Sequence, residues 1–335
     1  MDTITHIVLG ACIGEVFVGK KIGKRALVLG AIAQSVPDID FIASFYLSTT
    51  NNLLAHRGIT HSLLFALLIV PLLAFIADKW RRPHDVSFER WLWFFATEIL
   101  VHLLLDTANA YGTGLLEPFS HLRFSYNTLF VADPLFSIIP GIVAIMLIIN
   151  RTHKKRTVWA IVSIVWCSAY FLVGILNKFT VEASIKKNAV KEKIVYNRHF
   201  TSPTPFNNLL WYAVLENEAG YYIGYRSIFD KDKPMSFQYR YKNKVLLQNA
   251  IDREDVKNLV TFSQDYYTAD QYNDTLIFND LRFGQITGWT DSNARFAFYY
   301  FVNYPKENDL VIQRGRFKNW NSKTLGSLWN RMMSH

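Results

Sequence analysis

Eight histidine and aspartate residues stand in or beside apolar stretches of this sequence: His6, Asp38, Asp40, His56, His61, His102, Asp106 and Asp133. Glu15, Glu98 and His121 are weaker members of the same set. Placing such groups near lipid is costly, so intramembrane ionisable residues are functional candidates by default. Imidazole nitrogen and carboxylate oxygen together suit zinc, with manganese and iron as rivals. His102-Leu-Leu-Leu-Asp106 has the i, i+4 spacing that projects both side chains from one helix face, which can give one cation two ligands. Asp38-x-Asp40 offers two carboxylates from a locally extended stretch, or one ligand and one partner that orients it. His56 and His61 are five apart and need a bend between them, which Gly58 supplies. Each residue alone has an ordinary reading: His6 bonding a carbonyl, Asp38 capping a helix, Asp106 ending one. Together they exceed what one ion needs, so either several ions bind or some of the residues orient the others.

Arg57 lies between the two histidines. A charged fork beside a metal can hold a phosphate or carboxylate; its alternative is to snorkel to the lipid headgroups. Metal-activated water attacking a phosphoester or amide is the simplest chemistry for such a set. No Gly-x-Ser-x-Gly, P-loop or dinucleotide fingerprint is present. His84, His153, His199 and His335 receive no role.

Six apolar segments must position these groups: 5–19, 26–47, 61–78, 91–106, 134–150 and 157–179. A span needs ~20 apolar residues, with a floor near ~17. The sixth passes easily, and the third to fifth are about the minimum. The first carries His6 and Glu15, and Pro37-Asp38-Ile39-Asp40 breaks the second. These two read as embedded helices facing protein, or else as an amphipathic pair at the surface. Lys20, Lys21, Lys24 and Arg25 separate the first two segments. Lys79, Arg81, Arg82 and Arg90 separate the third and fourth, and Arg151, Lys154, Lys155 and Arg156 the fifth and sixth. Loops 48–60 and 107–133 carry only Arg57 and Arg123. Basic loops stay in the cytoplasm, which places the N-terminus and the part after the sixth segment outside. All eight candidates then fall toward the outer face, although none of them entered the charge argument.

The chain has 335 residues, enough for two domains. Residues 1–180 are apolar with clustered charges and form a helical membrane domain carrying the metal site. Residues 181–335 are polar and aromatic and form a small α+β domain outside the membrane. There YYIGYRSIF (221–229), FQYRYKN (237–243) and ARFAFYYFVNY (294–304) alternate as half-buried antiparallel strands do, and IDREDVKNLVTFSQDYY (251–267) has helical spacing. The net charge is +9. Topology accounts for it, so no nucleic acid is expected. Cys12 and Cys167 make no disulfide framework. MDTITHIVLG has no basic region and does not read as a cleavable signal peptide.

The ordered motifs MDTITHIVLG, VPDIDF, HRGITHS, HLLLDTANAYGTGLLEPF and ADPLF resemble the YdjM/YfhP-type family of membrane-bound proteins classed as metal-dependent hydrolases. The resemblance covers about the first half of the chain. "Hydrolase" in that family is itself inferred from the motifs, and one label links the family to binding a transcriptional repressor. More distantly the family is similar to zinc-dependent phospholipase C and P1 nuclease, which cleave phosphodiesters with a cluster of zinc ions. That similarity implies His102 and Asp106 as the helical His-x-x-x-Asp pair, preceded by His6, by Asp38 or Asp40, and by His56 or His61. An N-terminal Trp and a later His-x-x-x-Glu are missing, so a full three-zinc site is not implied, and Asp133 or His121 could fill part of the gap.

Two functions follow as expectations. In the first, the protein is a multi-pass hydrolase of the cytoplasmic membrane with a phosphoester substrate, small or lipid-linked. His6, Asp38, His56, His61, His102 and Asp106 hold the metal, Asp40 or Asp133 serves as a further ligand or as the general base, and Arg57 binds the substrate anion. In the second, a structural His/Asp cluster holds the helices while the C-terminal domain binds a partner.

Overall fold

The computed structural model describes residues 1–80, 85–150, 154–250, 253–304, 308, 317 and 320–334. Arg81, Arg82 and Arg151 lie outside these described residues, as do His84, His153 and His335. The chain divides into two compact units, Met1–Phe45 with Ala55–Gly174, and Tyr46–Leu54 with Ile175–His335.

The first unit is helical. Its elements are α1 (Thr3–Ile22), α2 (Arg25–Gln34), a 3₁₀ helix (Pro37–Phe45), a 3₁₀ turn (Ile59–His61), α4 (Leu63–Trp80), α5 (Phe88–Thr107), α6 (Pro134–Ile149) and the first part of α7 (Arg156–Lys191); α3 (Thr49–Ala55) precedes the turn. Among the described residues α1, α4 and α7 are long and apolar enough to cross a membrane, and α2 with the following 3₁₀ helix forms a further, bent pair broken by 60°. The Asp38–Asp40 stretch is therefore a 3₁₀ helix and not extended: Pro37 cannot continue α2, and its fixed φ restarts the chain as a tighter helix.

α1 is the centre of the unit. Its apolar window is 61% buried inside the protein, against 17% for α4 and 22% for α7. The inward face is small: a Cβ on Gly10 or on Gly30 would run into the other's carbonyl, and one on Gly14 into that of Ala26. Stripping side chains from both surfaces lets two backbones meet where lipid gives no hydrophobic drive. Three stripes of four-residue spacing thus face one another: His6, Gly10 and Gly14 on α1; Ala26, Gly30 and Gln34 on α2; Glu98, His102 and Asp106 on α5. At the other end of α1, buried Glu15 makes a bidentate pair with Arg156 (Nε–Oε1 3.0 Å, Nη2–Oε2 2.7 Å). Arg156, counted above as a loop charge, is buried instead, where it also caps the end of α6 through the Asn150 carbonyl at 2.8 Å.

The second unit holds two antiparallel sheets. One has the order β1 (Arg198–Pro203), β2 (Leu210–Glu216), β3 (Gly220–Ser227), β4 (Gln238–Tyr241), and the other β5 (Tyr267–Tyr272), β6 (Thr275–Gln285), β7 (Phe296–Phe301). β2 is buried along its whole length. Trp211, Ala213 and Leu215 pack with Val181, Ile185 and Ala189 of α7, while Tyr212 and Val214 pack with Phe200, Leu281 and Phe296. The helices α8 (Glu254–Phe262) and α9 (Ser322–Met332) complete it. Asn51 of α3 belongs here, bonded to Glu254 (2.9 Å) and Asn258 (2.7 Å). α9 is held by Arg331 on Asp230, at 2.8 Å to each carboxylate oxygen. Burial pushes the Asp230 carboxyl up, but Arg331, Ser334 and the Ser227 amide outweigh it and hold the group below the usual carboxylate range.

The glycine contact yields a test. Gly30→Val sets a branched side chain against main chain that cannot yield, an overpacking cost of about 1–3 kcal/mol. The variant is expected to melt at lower temperature in detergent and to bind metal ions more weakly, because α2 carries the segment that leads to Asp38. Unchanged melting and metal affinity would show that the helices do not need the close approach.

Candidate metal centre

The break after α2 brings Asp38 and Asp40 back toward α5. The chain returns through Arg57, whose left-handed backbone (φ 58°) makes the sharp turn, and the Arg57 amide donates to Asp40 Oδ2 at 2.7 Å. The Gly114 amide closes on the Arg57 carbonyl at 2.8 Å, and the His61 amide on that of Gly58 at 3.0 Å. Ser62 caps the start of α4 by accepting from the Phe65 amide at 3.0 Å. His61 is therefore fixed between two bonded turns on one side and a helix start on the other.

Asp38, His61, His102 and Asp106 each offer one ligand atom, all within 4.8 Å of one another, and form a group that could hold a metal ion. His61 Nε2 lies 3.1 Å from His102 Nε2, 3.5 Å from Asp38 Oδ1 and 3.2 Å from Asp106 Oδ2. His102 Nε2 lies 3.6 Å from Asp38 Oδ1 and 3.5 Å from Asp106 Oδ2. Nitrogen and oxygen ligands at 2.0–2.1 Å in a tetrahedron stand about 3.3 Å apart along each edge. Five of the six edges match that spacing. Three of the four side chains are fully buried, and Asp38, 26% exposed, is the way in.

The protons show why the group could take a cation. His102 Nδ1 lies 2.6 Å from the main-chain carbonyl of Gln34, which can only accept, so Nδ1 carries the hydrogen. His61 Nδ1 faces the Asp40 carboxylate at 3.4 Å, with the Thr60 hydroxyl 3.1 Å away, which favours the same tautomer. In neutral imidazole the other nitrogen is then a bare lone pair. Two such lone pairs and two carboxylates converge with no hydrogen among them. Arg57 Nε lies 3.0 Å from Asp106 Oδ2 but is not aligned to donate, and both atoms stay without a hydrogen-bond partner. Convergent acceptors repel unless a cation or an extra proton sits between them, and the donor set fits a metal ion.

The remaining sequence candidates fall around this group. His6 touches it: Nε2 is 3.3 Å from Asp106 Oδ1 and the ring stacks on His102 at 3.9 Å, while Nδ1 has no hydrogen-bond partner. Asp40 stands behind His61, and His56, half-exposed, is 3.3 Å from Asp40 on its far side. Arg57 turns inward. Nη1 donates to Asn109 (2.8 Å) and Nη2 to the Met1 carbonyl (3.3 Å), so its charge faces Asp106 in the interior. Asp133 is not brought to the group: it caps α6 through the Leu135 amide (3.0 Å) and takes the Tyr170 hydroxyl (2.7 Å). His121 is exposed and pairs with Glu117. The sequence reading missed Gln34, Asn109 and Met1, whose amino group forms a buried ion pair with Asp106.

Apolar helices around a buried His/Asp group define a membrane protein with an internal cluster that could hold a metal ion. The chain belongs to the YdjM inner membrane protein family, which matches residues 1–181. It is 37% identical to the inner membrane protein YbcI of Escherichia coli (strain K12) over 124 residues, 36% of this chain and 69% of that protein. It is 32% identical to the uncharacterized protein YfhP of Bacillus subtilis (strain 168) over 147 residues, 40% of this chain and 42% of that protein. The matched part thus spans less than half of YfhP. No solved structure matches the chain.

The four-atom group predicts one transition-metal ion per chain after purification in detergent, measured by elemental mass spectrometry. His61→Ala and His102→Ala should each lower it well below one ion per chain, and His56→Ala should leave it in place. Wild-type protein with no stoichiometric metal, or equal loss in His56→Ala, would contradict the assignment.

Proposed function

We propose that this chain is a multi-pass hydrolase of the cytoplasmic membrane whose His/Asp group holds zinc near the outer face and cleaves phosphoesters, lipid-linked ones among them. The C-terminal unit then lies outside the cytoplasm. One observation carries the reading: two imidazole Nε2 atoms and two carboxylate oxygens converge at near-tetrahedral spacing, with His102 Nδ1 on the Gln34 carbonyl and His61 Nδ1 facing Asp40. Two nitrogen and two oxygen donors suit zinc better than magnesium or calcium, which prefer oxygen. When bound, zinc supplies Lewis acidity and makes water a nucleophile at neutral pH.

The chain's own residues do the rest. Asp106 and His102 hold the ion from one helix face, His61 closes from the 3₁₀ turn, and Asp38 completes the set on the accessible side. Arg57 offsets the Asp106 charge in the interior. Asp40 orients His61 through Oδ2, and its Oδ1, buried without a hydrogen-bond partner, is the carboxylate oxygen assigned here to accept a proton. His56 lies between Asp40 and solvent. Asp133, engaged in capping α6, enters no step. The similarity of His102-x-x-x-Asp106 to the phospholipase C and P1 nuclease group supports a phosphodiester as the scissile group.

A second reading has a specific basis. Four protein ligands close a tetrahedron, as structural zinc sites do, whereas catalytic sites keep one position open. A structural ion would brace α5 against the 3₁₀ segments while the C-terminal unit binds a partner.

The test is a panel of phosphodiesters and phospholipids presented to the zinc-loaded protein with and without chelator. Turnover should vanish on chelation, return with zinc, and fall by at least ~100-fold in Asp40→Asn, the magnitude of a lost proton acceptor. No turnover of any substrate, together with a large fall in melting temperature on chelation, would decide for the structural ion.

A further inference from the structure

We propose that Glu98, through Gln34, is a positioning residue for the metal centre: it sets the tautomer and direction of His102 from one helical turn below. The inference rests on the metal reading above and adds residues to it that touch no ion.

Gln34 ends α2, and the break at Pro37 leaves its carbonyl without the amide that a continuing helix would supply. That carbonyl instead receives His102 Nδ1 at 2.6 Å. The ring can point its Nε2 at the cluster only while the carbonyl stays in place. The Gln34 side chain secures it. In the amide orientation its neighbours require, the nitrogen donates to the Glu98 main-chain carbonyl (2.6 Å) and to Glu98 Oε2 (2.7 Å). Both side chains are fully buried. One glutamine thus clamps the end of α2 to α5 at two levels, by main chain to His102 and by side chain to Glu98.

Glu98 Oε1 is buried with no hydrogen-bond partner, so among the described residues the carboxyl's side-chain hydrogen bond is the one from Gln34 to Oε2. A carboxyl deep among apolar helices is expensive to keep, and an apolar residue would pack there at less cost. Gly30 makes the room, since a Cβ there would stand 3.0 Å from Glu98 Oε1. The group that Glu98 serves carries a ligand of the centre, and outer partners of ligating histidines typically tune metal affinity 10–100-fold.

The experiment uses the full chain in nanodiscs with ¹⁵N-labelled histidine. In metal-free wild type the His102 ring should show a protonated Nδ1 and a bare Nε2. Glu98→Ala and Gln34→Met should mix the two tautomers and weaken zinc binding by about 10–100-fold. Glu98→Gln, which keeps an oxygen for the Gln34 amide, should restore both readouts. Glu98→Ala combined with Gln34→Met should be no worse than either alone, because one chain of contacts is cut twice. An unchanged tautomer and zinc affinity in Gln34→Met, or in a folded Glu98→Ala, overturns the proposal. A lower melting temperature without a tautomer change overturns it too, since that is what a purely structural tie would give. A wild type that takes no zinc refutes the functional reading instead, and the metal-free tautomers still decide this one.

Discussion

Four hydrogen-bond acceptors aimed at one another in a water-poor interior are unstable unless something positive sits among them. His61, His102, Asp38 and Asp106 are such a set. Asp106 bears the most: the Met1 amino group and His6 meet one oxygen, and Arg57 and the two ring nitrogens approach the other. Its carboxylate is nearly inaccessible to solvent, at 1% exposure, so these contacts must replace hydration. Breaking a buried charge pair by removing one partner typically costs about 3–5 kcal/mol. The fold around the centre can be understood as the means of holding this charge arrangement together.

Three devices do so. Stripes at four-residue spacing on α1, α2 and α5 place the groups on facing sides of three helices. Small residues at the α1–α2 contact let the backbones meet, which draws α2 and its terminal carbonyl within reach of α5. The helix break then does two jobs at once. It frees the Gln34 carbonyl to orient His102, and it turns the chain so that Asp38 and Asp40 approach from a different direction. Neither would follow from an uninterrupted helix.

Much of the centre was legible because its signals are local. His102 and Asp106 are four apart on a helix, and Asp38 and His61 flank breaks in apolar runs. Gln34 was not legible, because it acts through a main-chain carbonyl that any residue possesses. Asp38 and Asp40 have the same chemistry at near-identical positions, and only the turn at Arg57 makes one a ligand candidate and the other its supporter. Arg57 itself was read as facing a substrate anion, but its left-handed backbone and the Asn109 oxygen direct it inward. Asp133 was grouped with the site by its depth, although Asp133-Pro134 before an apolar run is also a helix-start signal. In the second unit the alternating strands β3, β4 and β7 were readable. The central β2 was not, because both its faces are buried and LWYAVLE shows no polar side.

X-ray absorption at the zinc edge on the loaded protein reads the ligand shell itself. A centre built from Asp38, His61, His102 and Asp106 gives a first shell of four light atoms at about 2.0–2.1 Å, with outer-shell scattering from two imidazole rings that falls to one ring in His102→Ala loaded with excess zinc. A shell of six oxygen-type neighbours, or imidazole scattering unchanged in His102→Ala, would mean that the ion sits elsewhere and that these side chains do not form a metal centre.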